Sequence, residues 1–312
     1  MDNHYDIIYI SESGFQQKII EHLITNIYPS KNYLWLKSEE GYFIDGKNRI
    51  YNIDLNHIKG IVSSISPIFK FPNLSCEYLI GTQFTGVNCR FFEAVISYKE
   101  LHLIDDGIGT PLILRTPTFY RTQPTSILKF NIVKFLVVVL RLKFTKSTQS
   151  LIKSINQYYT IYQFDSLNIP MVKINPFSSN NLIMKEEYIG YIGQPLVEYG
   201  MIEQSYYTEH LEKLIKRFNK PIKYYTDPSE KLIVNNTIEL FEIAHKNEPL
   251  ESFIVKNGMP TIIVSFVSSA LLNLKLMCPE VEAYYCKIPN HDEKRKLYYD
   301  IFEENDIKLL KL

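Results

Sequence analysis

A chain of 312 residues is long enough for two domains of ordinary size. With 46% hydrophobic and 22% charged residues, it has the composition of a folded globular protein rather than a disordered one. Its 34 Lys plus Arg balance 34 Asp plus Glu, so net charge offers no argument for a nucleic-acid partner. Cys76, Cys89, Cys278 and Cys286 form no CxxC pair and have no histidine at ligand spacing, which argues against a disulfide framework and a zinc site. The 23 tyrosines suit sugar contacts, although core packing is the plainer role for most of them.

The polar, acidic start Met1 to Asp6 is no signal peptide, so a cytoplasmic protein is expected. Ile7 to Ile10 reads as a first strand. Phe15, Ile19, Ile20, Leu23, Ile24 and Ile27 then recur at helical spacing. Tyr33 to Leu36 and Ile50 to Ile53 read as further strands, followed by a helix over 55–65, a strand at Tyr78 to Gly81 and a helix over 87–96. Leu101 to Ile104 is a short apolar strand that runs into Asp105-Asp106-Gly107. In an open α/β sheet, ligands bind outside the carboxyl ends of strands, so both carboxylates are expected to face a cleft. A solvated acidic turn is the plainer alternative. No GxGxxG or GxxxxGK[ST] occurs in this half, which disfavours a dinucleotide fingerprint and a P-loop.

Within 127–146 the apolar run Ile132 to Leu140, with Lys129, Arg141, Lys143 and Lys146 around it, is too short to span a bilayer. It reads as a buried element or as a face lying on anionic lipid. Residues 157–185, rich in Tyr, Asn, Ser and Pro, suit a linker between an N-terminal domain (1–156) and a C-terminal one (186–312). The second domain opens with a strand at Tyr188 to Gly193 and an amphipathic helix at Tyr206 to Phe218. A strand at Pro221 to Thr226 and a turn at Asp227 to Glu230 come next. Thr261 to Val264 is a buried-strand run, and Ser268-Ser269 opens the helix behind it. A serine pair there is a capping signal and also a ready phosphate site. Alternating strands and helices in both halves predict an α/β protein of two Rossmann-like domains, an arrangement that would place a cleft between them.

Taken in order, Asp105-Asp106-Gly107, Tyr191 to Leu196, Tyr224 to Glu230 and Ser268-Ser269 resemble the motifs of bacterial sialyltransferases. The likeness is to the lipooligosaccharide and capsular enzymes of glycosyltransferase family 52, with polysialyltransferases as near relatives. It covers most of the chain and is strongest over 188–275. The resemblance implies a GT-B-like fold, two Rossmann-type domains facing each other across a cleft. It also implies inverting single displacement, CMP-N-acetylneuraminic acid as donor, and neither metal nor cofactor. The acceptor would be a surface glycan, lipid-linked at the inner face of the plasma membrane if 127–146 contacts lipid. Asp106 falls on the base, with Asp105 beside it and Glu203 as a reserve near Glu198. Gly193, Gln194, Tyr225, Asp227, Pro228, Ser268 and Ser269 fall on the donor side.

One position departs from the family: Asp227-Pro228 stands where these enzymes carry His-Pro, the histidine assisting the departing phosphate. At about 4 Å and an effective dielectric of about 20, each such charge interaction is worth about 4 kcal/mol before screening, so the exchange is not neutral. Either the serines and helix N-termini hold the phosphate alone, or Asp227 contacts nucleoside or acceptor, or the histidine is to be sought elsewhere, at His210 or His245. Two other readings stay open: a same-fold transferase using another nucleotide sugar such as a UDP-hexose, and a catalytically inactive relative.

Overall fold

The computed structural model describes residues 3–39, 42–44, 50–51, 74–82, 92–93, 96–115, 148–162, 167–177, 183–227, 230, 241–243, 250–289 and 292–312. The helix expected over 55–65, most of that over 87–96, the segment 127–146, Pro228 and His245 lie outside the described residues. Among the described residues no helix is long and apolar enough to cross a membrane. The chain divides into two units, Met1–Pro176 and Phe177–Leu312.

The first unit opens with β1 (Asn3–Ser11), α1 (Gly14–His22) and a π-helical turn (Leu23–Ile27). Strands β2 (Tyr33–Glu39), β3 (Tyr42–Ile44), β4 (Ile50–Tyr51), β5 (Leu74–Gly81) and β6 (Ser97–Ile104) follow. Then come α2 (Gly109–Arg115), α3 (Thr148–Lys153), β7 (Ile155–Thr160) and β8 (Met171–Lys173). They form one sheet in the order β4-β3-β2-β1-β5-β6-β7-β8. From β2 to β8 every pairing is parallel. Strands buried on both faces read as continuous apolar runs, and Ile7, Ile8, Tyr9 and Ile10 are all fully buried.

Two expectations for this unit change. The strand at Ile50 is not part of the parallel series but the outer member of an antiparallel edge, β2-β3-β4. A short connection can close a hairpin, whereas a parallel pair needs a long crossover. The expected linker 157–185 contains most of β7 and all of β8, which belong to the first sheet. Its tyrosines misled: Tyr158 and Tyr159 bury their rings, Tyr158 donating its hydroxyl to Asp105 and Tyr159 sharing a hydrogen bond with the Tyr28 hydroxyl. Tyr combines a large apolar ring with one polar group, so it serves a core as well as a loop.

The second unit contains β9 (Met184–Ile192), α4 (Gln204–Phe218), β10 (Ile222–Tyr225), β11 (Phe241–Ile243) and α5 (Leu250–Asn257). It continues with β12 (Met259–Ser265), α6 (Ser269–Met277), β13 (Glu282–Tyr285), α7 (Asp292–Glu304) and β14 (Lys308–Leu309). Its sheet is wholly parallel, in the order β11-β10-β9-β12-β13-β14. Counted from β9, that is the Rossmann order 3-2-1-4-5-6, whose reversal between the first and fourth strands marks a ligand crevice. Helix α4 buries Tyr207, His210, Leu211 and Leu214 and stops at Asn219, whose φ of 50° ends the helix in the left-handed region. The chain therefore holds two Rossmann-type α/β units in tandem, the components expected of a GT-B-like protein.

Candidate functional site

The acid pair of the first unit splits into two different environments. Asp105 is completely buried. Its Oδ1 accepts from the Tyr158 hydroxyl and, at 3.1 Å, from Thr160 Oγ1, while Oδ2 accepts from the Ile161 N–H at 2.7 Å. Asp105 thus does not face a cleft, contrary to expectation; it ties the end of β6 to the end of β7. Burial is the main force on its carboxyl and pushes its pKa up to about 7, against the three hydrogen bonds, which favour the anion.

Asp106 is half-buried and turns the other way, as alternation along a strand requires. Its Oδ1 accepts from Gln16 Nε2 at 2.7 Å, and its N–H donates to Thr110 Oγ1 at 2.8 Å. Gly107 follows at φ 57°, a left-handed turn that favours glycine. Gln16 is nearly fully buried in the first turn of α1 and was missed in the sequence. A signal existed: Ser13-x-x-Gln16 matches the capping-box pattern, and Ser13 does accept from the Gln16 N–H. The glutamine side chain continues past that role to reach Asp106.

In the second unit, the motif residues gather at the carboxyl ends of β9, β10 and β12. The Gln194 amide grips both sides of one residue, its Oε1 accepting from the Val267 N–H at 2.7 Å and its Nε2 donating to the Val267 carbonyl. Ser265 is buried and donates to the Ile192 carbonyl at 2.9 Å, lacing β12 to β9 beneath this clamp. Gln194 therefore shapes the loop that leads into α6. Next comes Ser268, the N-cap of that helix, half-exposed and with no side-chain capping hydrogen bond. The capping role that would explain this serine without a ligand is not the one it fills.

Gly193 has a role that its sequence could not show. A Cβ there would meet the Tyr224 hydroxyl at 2.6 Å and run into a Glu230 carboxylate oxygen. Its missing side chain makes room for Glu230. That carboxyl accepts from the Tyr224 hydroxyl, from the Tyr207 hydroxyl at 3.5 Å and from the Asp227 N–H at 3.2 Å. Burial, with Glu198 and Asp227 adding repulsion, pushes its pKa up to about 7 against those hydrogen bonds. The sequence carries one signal for Glu230, the Asp-x-x-Glu spacing of a capping box from Asp227.

The remaining candidates are placed as follows. Tyr225 is buried, so its side chain belongs to the core, while its carbonyl accepts from the Gly193 N–H at 2.8 Å. Asp227 is half-exposed in the turn after β10. Glu203 is exposed at the N-cap of α4 and makes no side-chain capping bond. His210 is not a surface residue: it is buried, with its ring 4.7 Å from that of Phe266. Desolvation lowers its pKa to about 4, so it is neutral near pH 7 and supplies no cation for a phosphate. Among the described residues no group of three or more His, Cys, Asp or Glu is placed to hold a metal ion.

No protein-family model matches the chain, and no curated protein matches its sequence. Solved structures that this chain resembles include the following two. The MurG of Acinetobacter baumannii, at 9% identity and a TM-score of 0.45, is matched over 99% of this chain and 86% of its own. The glycosyltransferase of kitacinnamycin, at 7% identity and a TM-score of 0.47, is matched over the same shares. Identities below 10% and TM-scores below 0.5 transfer no residue role to this chain.

Proposed function

We propose that the chain is a glycosyltransferase that takes its sugar from a nucleotide donor held in the second unit, with a CMP-sugar such as CMP-N-acetylneuraminic acid as the first candidate. The observation that carries this reading is Ser268. Its hydroxyl makes no capping bond, at the N-terminus of a helix, beside the strand-order reversal of a Rossmann sheet. Free N–H groups, the helix dipole and the adjacent Ser269 make that place suited to a phosphate. In the transfer step an acceptor hydroxyl of a glycan attacks the anomeric carbon as its bond to the phosphate oxygen breaks. The nucleotide leaves with the bonding electrons, and the Asp106 carboxylate takes the hydroxyl proton.

Asp227 occupies the place of the family histidine and His210 is neutral, so a donor other than a CMP-sugar, such as a UDP-hexose, is the second reading. Incubation with a panel of CMP- and UDP-sugars, with and without chelator, separates the possibilities. CMP release supports the first donor, UDP release the second, and release of neither overturns the assignment as a transferase.

Replacing Ser268 and Ser269 together with alanine should weaken nucleotide binding while leaving the fold intact. Hydrogen bonds to charged groups contribute about 1.5–3 kcal/mol each, so affinity measured by calorimetry should fall about tenfold or more. Because Ser268 makes no capping bond, the melting temperature should change little. Unchanged affinity would remove both serines from the site.

A further inference from the structure

We infer that Glu230 is a positioning residue of the donor site, its carboxyl occupying the space over Gly193 and setting, through Gln194, where Ser268 stands. This inference rests on the donor site proposed above. The path is continuous. Glu230 holds the Asp227 N–H and two tyrosine hydroxyls, from β10 and α4, and lies against Gly193. Gly193 is bonded to Gln194, Gln194 holds both the N–H and the carbonyl of Val267, and Val267 precedes Ser268. A carboxyl bonded on both oxygens and packed against a glycine leaves the loop little freedom.

The same geometry makes donor binding depend on the charge of this carboxyl. The groups facing it are Tyr224 from β10, Tyr207 from α4, Glu198 from the loop after β9 and Asp227 from its own turn, and Tyr191 of β9 also senses it. The charges among these, Glu198 and Asp227, are negative. Burial places the carboxyl's pKa at about 7, so it becomes charged as pH rises through neutrality. Once ionised, this carboxyl adds a third negative charge to those of Glu198 and Asp227 in the same unit, which disfavours an anionic donor there. Donor affinity should therefore be greatest below about pH 7 and fall above it.

The test uses Glu230→Ala, Glu230→Gln and Gly193→Ala in the full chain, with two readouts. The first is the pH profile of kcat and KM for the nucleotide sugar that the panel identifies. The second is amide hydrogen exchange of 193–194 and 265–269 in the free protein. Wild-type KM should rise about tenfold between pH 6.5 and 8.5, a change of the size one screened charge interaction gives. Glu230→Gln should keep the low-pH KM and lose the rise. At pH 6.5, where the carboxyl is largely neutral, Glu230→Ala and Gly193→Ala should raise KM about tenfold with kcat nearly unchanged, and both should speed exchange at 265–269. A wild-type pH profile in Glu230→Gln, or unchanged exchange in Glu230→Ala, overturns the inference; if the alanine variant does not fold, the glutamine variant decides. If the wild type turns over no donor, the proposed function fails, while the exchange data still decide whether Glu230 ties these loops.

Discussion

Replacing Asp105 with alanine is expected to destabilise the first unit severely. The change leaves the Tyr158 hydroxyl, the Thr160 hydroxyl and the Ile161 N–H without their shared acceptor in a fully buried place. Each buried group left unsatisfied costs about 1–3 kcal/mol, against a total stability of about 5–15 kcal/mol for a typical domain. A loss of about 3–5 kcal/mol, with a melting temperature about 10 °C lower, is the expected result by urea and thermal unfolding. Asp105→Asn keeps the shape and can mimic the protonated acid, so it should cost far less.

The same residue has a pH signature. Its folded pKa of about 7 lies above the ordinary value of 3.8. Between those values the folded chain keeps a proton that the unfolded chain has released. Stability from this group is therefore full below about pH 4 and is lost as pH rises through about 7. Unfolding curves from pH 5 to 8 should show wild type losing stability faster than Asp105→Asn, and parallel curves would refute the assignment.

Asp106→Ala is expected to remove transfer while sparing nucleotide binding. Loss of one general base typically lowers a rate about 10²–10⁴-fold. The substitution leaves the bond from its N–H to Thr110 in place and frees the Gln16 amide, so the turn should persist. Nucleotide affinity should stay near wild type because the proposed phosphate site lies in the other unit. If more than about a tenth of the activity survives, the base lies elsewhere, and the exposed Glu203 carboxylate becomes the residue to test.

Asp105 and Asp106 also mark the boundary between local and tertiary information. They are adjacent, chemically identical, and were read together as one acidic motif. One is a buried tie between strands and the other a half-exposed carboxylate, and the difference is made by Tyr158, 53 residues further along the chain. The linker reading of 157–185 failed for the same reason, since the polar end of Tyr158 is satisfied only by a partner in another strand. The resemblance puts Gly193 on the donor side, and the atoms that fill the space over it belong to Glu230 and Tyr224.

The sequence by itself determined the two α/β units. Ile7 to Ile10, Tyr188 to Ile192 and Thr261 to Val264 are apolar runs of strand length, and Phe15 to Ile27 and Tyr206 to Phe218 repeat at helical spacing. Such signals are local, because the period of a strand or helix is set by its own backbone. Only the tertiary structure decided which motif side chains meet one another and which remain available to a ligand. Parallel crossovers bring strand ends far apart in sequence to one edge of a sheet, as where Gln194 clamps Val267, 73 residues away. There, partners contributed by other strands, rather than neighbours in sequence, determine what each side chain can do.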